Sequence, residues 1–417
     1  MTTDIATSMP LPAADAAAPA RRRLAIGFLN GAHALDHFVM LIYPTVVIEL
    51  VASEGRTYSE LIALGTASFV AFGLFSLPAG WLADRWSRRN MMAVFYLGSG
   101  LSLLAAGFAP SLYALAVALF ALGVCAAIYH PVGTAMLIEY ATQRGRTLAF
   151  NGVCGNLGVS LAAGITAALT AALSWRGAFL LPGLICLAAG VAYLWLVGDE
   201  RQQAAARSTS PDVVLSVPVA ATIFGLFMVV ALSAGLVFNT ISVALPKIVD
   251  ERVSSNISLL AVGGLTTAVF LCGGLAQIAV GRLVEHIRPH VLLAAIATMQ
   301  FAGVVWAAYA TGPMLLAALA FTMAAIYGQI TVNDLVIARY TADAWRGRIY
   351  AVRYFLTFMV SGAAVSMIAI LYGHGGFGLV LGVTALVALG FLVAALMIAL
   401  LANGVEKAQL PQTAPAE

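Results

Sequence analysis

Near the middle of the run Leu24 to Leu50, LAIGFLNGAHALDHFVMLIYPTVVIEL, one carboxylate and two imidazoles stand where a lipid-facing segment would carry none: His33, Asp36 and His37. A buried carboxylate at bilayer mid-depth costs roughly 2.5–3.5 kcal/mol on insertion scales, so such a residue needs a compensating role. An acid beside imidazoles is the side-chain chemistry of reversible proton binding near neutral pH. Read as a helix, Asn30, His33, Asp36, His37, Met40 and Tyr43 recur at steps of three and four and form one polar stripe. That stripe is expected to face protein or water, with Asp36, His33 and His37 as the proton-coupling group.

Three further intramembrane groups carry chemistry. His130 precedes Pro131, whose ring breaks the helical ladder, so the imidazole either lines a cavity or satisfies the freed backbone. Asn333 and Asp334 lie on a later apolar run and Arg353 on the next. Opposite charges at similar depth are expected to pair, either as a permanent bridge or as an anion site on Arg353 released from Asp334 by substrate. Asn239 and Tyr327 complete the expected substrate cavity with Asn30, Tyr43, His130, Asn333, Asp334 and Arg353. Glu49, Glu139, Lys247, Asp250 and Arg339 fall near predicted membrane edges and are assigned no transport role.

The elements that must hold these groups follow from composition. Of 417 residues 62% are hydrophobic and 9% charged, against about 25% charged in a soluble domain, so the chain is an integral membrane protein. A net charge of +3, from 21 basic and 18 acidic residues, is too balanced to imply a nucleic-acid partner. Cys125, Cys154, Cys186 and Cys272 all lie in apolar runs and read as packing residues rather than as disulfide partners. No nucleotide-binding loop, metal-ligand spacing or enzyme constellation is found, so no cofactor, resident metal or catalytic residue is expected. Uphill transport by such a chain would draw on an ion or solute gradient.

Twelve membrane helices are predicted, over 24–51, 59–83, 91–109, 111–139, 146–173, 176–198, 218–250, 257–284, 289–310, 313–340, 347–372 and 377–402. Residues 1–23 read as an unstructured tail, 24–198 as a six-helix bundle, 199–217 as a linker, 218–402 as a second six-helix bundle and 403–417 as a tail. With the N-terminus inside, sixteen Lys/Arg fall in cytoplasmic segments and four outside, which orients both termini to the cytoplasm of an inner, plasma membrane. The first run is too long for a cleaved signal and is read as retained.

Internal repetition gives the architecture. Tyr43-Pro44 returns as Leu245-Pro246, Gly80-x-Leu-x-Asp84 as Gly281-x-Leu-x-Glu285, and Gly145-Arg146 as Gly347-Arg348, at offsets of about 202. Two homologous halves of six helices, related by an axis along the membrane normal, are the architecture of major facilitator transporters. The loop Gly80-Trp81-Leu82-Ala83-Asp84-Arg85-Trp86-Ser87-Arg88-Arg89 resembles that superfamily's signature between helices two and three, with Ser87 where glycine is usual. Gly80 lets helices approach closely, and Asp84 is placed to meet a helix N-terminus or a basic residue of the facing half. Gly80, Asp84, Arg85, Arg88 and Glu285 are therefore expected to form a cytoplasmic gate.

Within the superfamily the chain resembles the fosmidomycin resistance family. The likeness rests on His33…Asp36…Leu41-Ile42-Tyr43-Pro44, on Tyr129-His130-Pro131, and on Gly145-Arg146 with Gly155-Asn156-Leu157-Gly158. The resemblance implies a proton-driven exporter of small polar drugs, an antiporter working by alternating access. Where such antiporters often carry Gly-Pro in helix five, this chain has Ala162-Ala163, although Gly152, Gly155, Gly158 and Gly164 keep a small-residue face. The alternative is a symporter importing an organic anion, with Arg353 as the carboxylate ligand. A channel or membrane-embedded sensor has no need of a latch in each half. The expected partners are a small solute, protons and the bilayer, and the expected state is a monomer.

Overall fold

The computed structural model describes residues 18–198, 217–340 and 343–409, with side chains excepted at 18, 217, 220, 334, 337–340, 343–354 and 405–409. The described residues form helices joined by short loops: α1 (Ala18–Met40 with Ile42–Glu54), α2 (Tyr58–Leu74 with Ser76–Arg85), α3 (Arg88–Gly107), α4 (Leu112–Tyr140), α5 (Arg144–Ala172) and α6 (Gly177–Leu196). The second half holds α7 (Val217–Arg252), α8 (Leu259–Leu283), α9 (Pro289–Tyr309) and α10 (Gly312–Tyr340). The remaining run, Asp343–Gln409, is too long for one crossing and turns at Gly375 and Gly376, the latter at φ 58°, where a side chain would be strained. It therefore supplies α11 (343–374) and α12 (377–409), which makes twelve spans in two bundles of six. The first helix starts at Ala18, inside the tail expected to lack structure, because Ala and Arg both favour helix. Likewise α12 runs on to Gln409.

Prolines shape the spans that matter. Pro44 cannot serve the carbonyl of Met40, and α1 breaks at Leu41 (φ −100°, ψ 3°) between them. Pro78 does the same to Leu74, and α2 bends by 40° at Phe75. In α4, Pro131 opens one π turn over Tyr129–Gly133.

The bundles meet along two symmetric seams, α2 with α11 and α5 with α8, flanked by the second half of α1 against α7. Small residues make the seams close. A Cβ on Gly73 would stand 2.7 Å from the Phe358 carbonyl oxygen, and Ala163 and Ala167 of α5 abut Gly263 of α8 equally tightly. The Ala162-Ala163 pair thus lies at a helix contact between the halves.

The core is divided unequally between the two membrane faces. One apolar cluster, which includes Tyr43, Val46, Val47, Leu50, Leu245, Ile248 and Val249, joins both halves at the face bearing Arg56, Arg176, Lys247 and Arg252, here termed the far face. At the opposite, basic face, which bears Arg85, Arg88, Arg89, Arg144, Arg146, Arg282 and Arg288, two separate clusters form. One holds Leu29, Met92, Tyr129, Met136 and Tyr193 of the first half, and the other Phe227, Leu293, Val332, Phe391 and Ile398 of the second. Among the described residues, therefore, the halves share one core at the far face and keep separate cores at the basic face. The described cores are thus joined on one side and parted on the other.

Candidate functional site

Helix α1 is pressed onto α5 because Gly158 carries no side chain; a Cβ there would fall 2.1 Å from the Ala34 carbonyl oxygen. This approach lays the polar stripe of α1 against α4 and α5. His33 donates from Nδ1 to the Asn151 carbonyl of α5 (2.8 Å), and its ring stacks on Tyr129 (4.8 Å, 22°). Since only an N–H can bond to a carbonyl, Nε2 of His33 carries the lone pair. Asn151 is fixed in turn: its Nδ2 donates to Asn30 Oδ1 (3.0 Å), and Tyr129 donates its hydroxyl to Asn151 Oδ1 (3.1 Å).

The π turn of α4 turns His130 inward. Its Nε2 lies 3.3 Å from Oδ2 of Asp36, which is fully buried. The rings of His33, His37 and His130 then stand 5.0–5.3 Å apart, centroid to centroid. Neither carboxylate oxygen of Asp36 has a hydrogen-bond partner, nor does His130 Nε2. Buried polar atoms without partners are costly, and they persist where a site exchanges a ligand or a proton. His130 was expected in the cavity and His33 or His37 beside Asp36; the structure makes one four-residue cluster of them, with His130 the imidazole nearest the acid.

The cluster has a roof and a floor. From the second half, Phe358 of α11 lies against His130 (4.7 Å) and Phe72 (5.1 Å). Toward the basic face, a cavity of about 290 Å³ is lined by Ile26, Asn30, Thr142, Gln143, Arg146, Thr147 and Phe150. The cluster thus sits between the shared far-side core and the parted basic face, one residue pair away from a cavity.

Other expected site residues are placed differently. Tyr43 lies in the far-side core rather than in a cavity: its hydroxyl donates to the Leu61 carbonyl of α2, because the break at Leu41 swings the second half of α1 toward that helix. Asn239 turns back on its own helix, donating to the Gly235 carbonyl (2.8 Å). Tyr327 is fully buried against Gly273 of α8, and Asn333 is buried with Oδ1 unbonded. The side chains of Asp334 and Arg353 lie outside the described residues. Ser361 ties α11 to α2 by donating to the Phe69 carbonyl (3.2 Å).

At the basic face, Gly80 packs on Pro131, and Arg85 lies 4.0 Å over the Trp81 ring. Asp84 pairs with Arg88 (2.9 Å), which also holds Glu139 of α4 (3.1 Å). Among the described residues, these partners all belong to the first half. Glu285 is exposed just beyond α8. Ser87 explains its own departure from the signature, since its hydroxyl caps α3 by accepting from the Asn90 N–H (3.2 Å).

Two features were missed. Asn151, the hub of the cluster, stood in the sequence as a polar residue on an apolar helix, a signal that the weighting of acids and histidines passed over. The far-side closure was also not anticipated. There Lys247, largely buried, pairs with Asp250 (2.6 Å) and Glu251 (3.4 Å), Tyr372 donates to Glu251, and the Tyr58 ring of the other half packs on Tyr372 (4.8 Å).

Comparison with known proteins agrees with this architecture. The chain is 27% identical over 185 residues to the membrane sensor protein UhpC of Salmonella typhimurium, covering 44% of this chain and 41% of that protein. It is 28% identical over 176 residues to the gallate transporter of Pseudomonas putida, covering 41% and 39%. The matched stretches thus span about two fifths of the length of these curated relatives. Among solved structures, a bacterial homolog of the human lysosomal transporter Spinster superposes with a TM-score of 0.76 at 11% identity, over 94% of this chain and 99% of that one. A D-xylose–proton symporter gives 0.68 at 17% identity, over 90% and 96%. Residues 26–254, more than half of the chain, match the Major Facilitator Superfamily, and the chain belongs to that family.

Proposed function

We propose that the protein is a proton-coupled secondary transporter of a small polar or amphipathic solute, working by alternating access in the inner membrane, with its basic face and both termini cytoplasmic. The observation that carries this reading is the four-residue cluster. A fully buried acid, Asp36, without hydrogen bonds and 3.3 Å from the nearest of three clustered imidazoles, sits where the shared far-side core gives way to the parted basic face. Protonation of such an acid removes a buried charge, and it does so beside the ring, Phe358, that joins the two halves. The proton load can thereby favour one of the two closures. The likeness to the fosmidomycin resistance family in α1, α4 and α5 supports export in exchange for protons.

A second reading, import of a small organic anion with protons, draws on Arg146 in the cavity lining and on the gallate transporter among the relatives. Proteoliposomes carrying an imposed pH gradient separate the two. Accumulation of an amphipathic drug against its gradient on the acidic side, opposite to the proton flow, supports exchange. Accumulation of an aromatic acid from the acidic side of the gradient supports symport. Transport indifferent to the gradient overturns proton coupling in either form.

A further inference from the structure

We propose that His33, His37, His130 and Asp36 form a binding site for one divalent transition-metal cation of the zinc class. Ligand atoms from the three histidines all lie within 4.8 Å of one another. Zinc–nitrogen bonds of about 2.1 Å in a tetrahedral site place ligand nitrogens about 3.4 Å apart, so small ring movements complete the set. His33 can sit in the cluster only because Gly155 presents no side chain; a Cβ there would lie 2.5 Å from Nε2.

Chemistry selects the ion. Three imidazoles and one carboxylate suit zinc, cobalt or nickel, whereas magnesium and calcium require shells of oxygen ligands that this cluster lacks. Charge points the same way. Asp36 is fully buried, neither of its oxygens is hydrogen-bonded, and neutral imidazoles bring no compensating charge, while a divalent cation does.

The outer shell is already built. A metal-bound histidine commonly donates its other ring N–H to a carbonyl or carboxylate, which fixes its tautomer and raises its basicity. His33 makes that bond to Asn151, and Asn151 is braced by Asn30 and Tyr129. The cavity at the basic face reaches Asn30 and supplies an approach. This inference goes beyond the proton reading: proton and metal would compete for one carboxylate, and each can fail without the other.

The test uses the full-length protein without a histidine tag, purified in detergent, stripped with chelator and titrated with Co²⁺. One Co²⁺ per chain, with the intense visible absorption of a four-coordinate nitrogen–oxygen site, is expected. X-ray absorption of the loaded wild type should count three imidazoles. Zn²⁺ should displace Co²⁺ and raise the melting temperature, and both effects should vanish in His37→Ala and Asp36→Asn. Asn151→Ala, which keeps all four ligands, should weaken Co²⁺ binding about tenfold or more. No Co²⁺ spectrum at millimolar metal overturns the site, as does a count of one imidazole or none. Binding that persists in a His33→Ala/His37→Ala double variant also overturns it, by assigning the metal to His286, His290 or His374. Co²⁺ binding in a protein whose transport ignores pH keeps the site and discards the proton reading; pH-driven transport without metal binding does the reverse.

Discussion

His130 of α4 and Phe358 of α11 lie ring against ring at 4.7 Å, across the seam between the two halves. His130 also contacts Asp36 at 3.3 Å, so a single imidazole touches both the buried acid and the opposing bundle. Phe358→Ala removes a half-buried ring from that seam, a loss of about 1–2 kcal/mol where a fully buried phenylalanine would cost about 3–5. The loss falls on the far-closed state, so the population moves toward far-side opening by about tenfold. In a background lacking the four native cysteines, a cysteine at Thr66, which faces Ser366 at 3.5 Å across the seam, should label faster from the far side. Unchanged labelling would mean that the ring pair does not hold the closure.

Asp36→Asn keeps the shape of the acid and removes its ability to take up a proton. Uphill transport driven by a pH gradient should be lost, while counterflow of labelled for unlabelled solute persists, because exchange needs the conformational cycle but no net proton. The melting temperature should hold or rise, since a buried charge without hydrogen bonds has been removed. Full retention of pH-driven accumulation would move the coupling site elsewhere.

How far the site could be read in advance follows from where its signals lie. The twelve spans, the paired halves and the polar stripe of α1 were legible because length, charge bias and helical period are properties of the chain itself. The joining of His130 to Asp36 was not, because it depends on a π turn at Pro131 and on the approach of α1 to α5 at Gly158, both products of packing. Tyr43 misled for the same reason: it shares a helical face with His33, but the break at Leu41 turns it to a different neighbour. Which face is closed is a property of one conformation, and no residue pattern along the chain encodes it.

The charged trio at the basic face separates into two effects. Asp84 and Arg88 are well exposed, so their pairing contributes only about 0–1 kcal/mol, whereas the side chain of Glu139 is 10% exposed. Asp84→Asn should therefore leave the melting temperature nearly unchanged yet raise cysteine labelling from the basic face, if Asp84 engages the second half when that face closes. Glu139→Ala should lower the melting temperature, because it strips a mostly buried partner from Arg88. Equal melting losses in the two variants would show that the pairs act as one structural unit and that Asp84 has no separate latch role.

Asp334 lies on α10 and Arg353 on α11, two helices that run toward the basic face where the halves part. If they are partners in the apolar bundle, removing either alone leaves an uncompensated ion at a cost of about 3–5 kcal/mol, while removing both restores neutrality. The double variant Asp334→Asn/Arg353→Gln should then melt close to wild type although each single variant melts well below it. Transport decides what the pair is for. A well-folded double variant that no longer transports assigns Arg353 to an anionic group of the solute, and one that still transports assigns the pair to structure. Strictly additive melting losses across wild type, both singles and the double would show that the two residues do not touch, and the second-half site would then have to be built on Asn333 and Tyr327 alone.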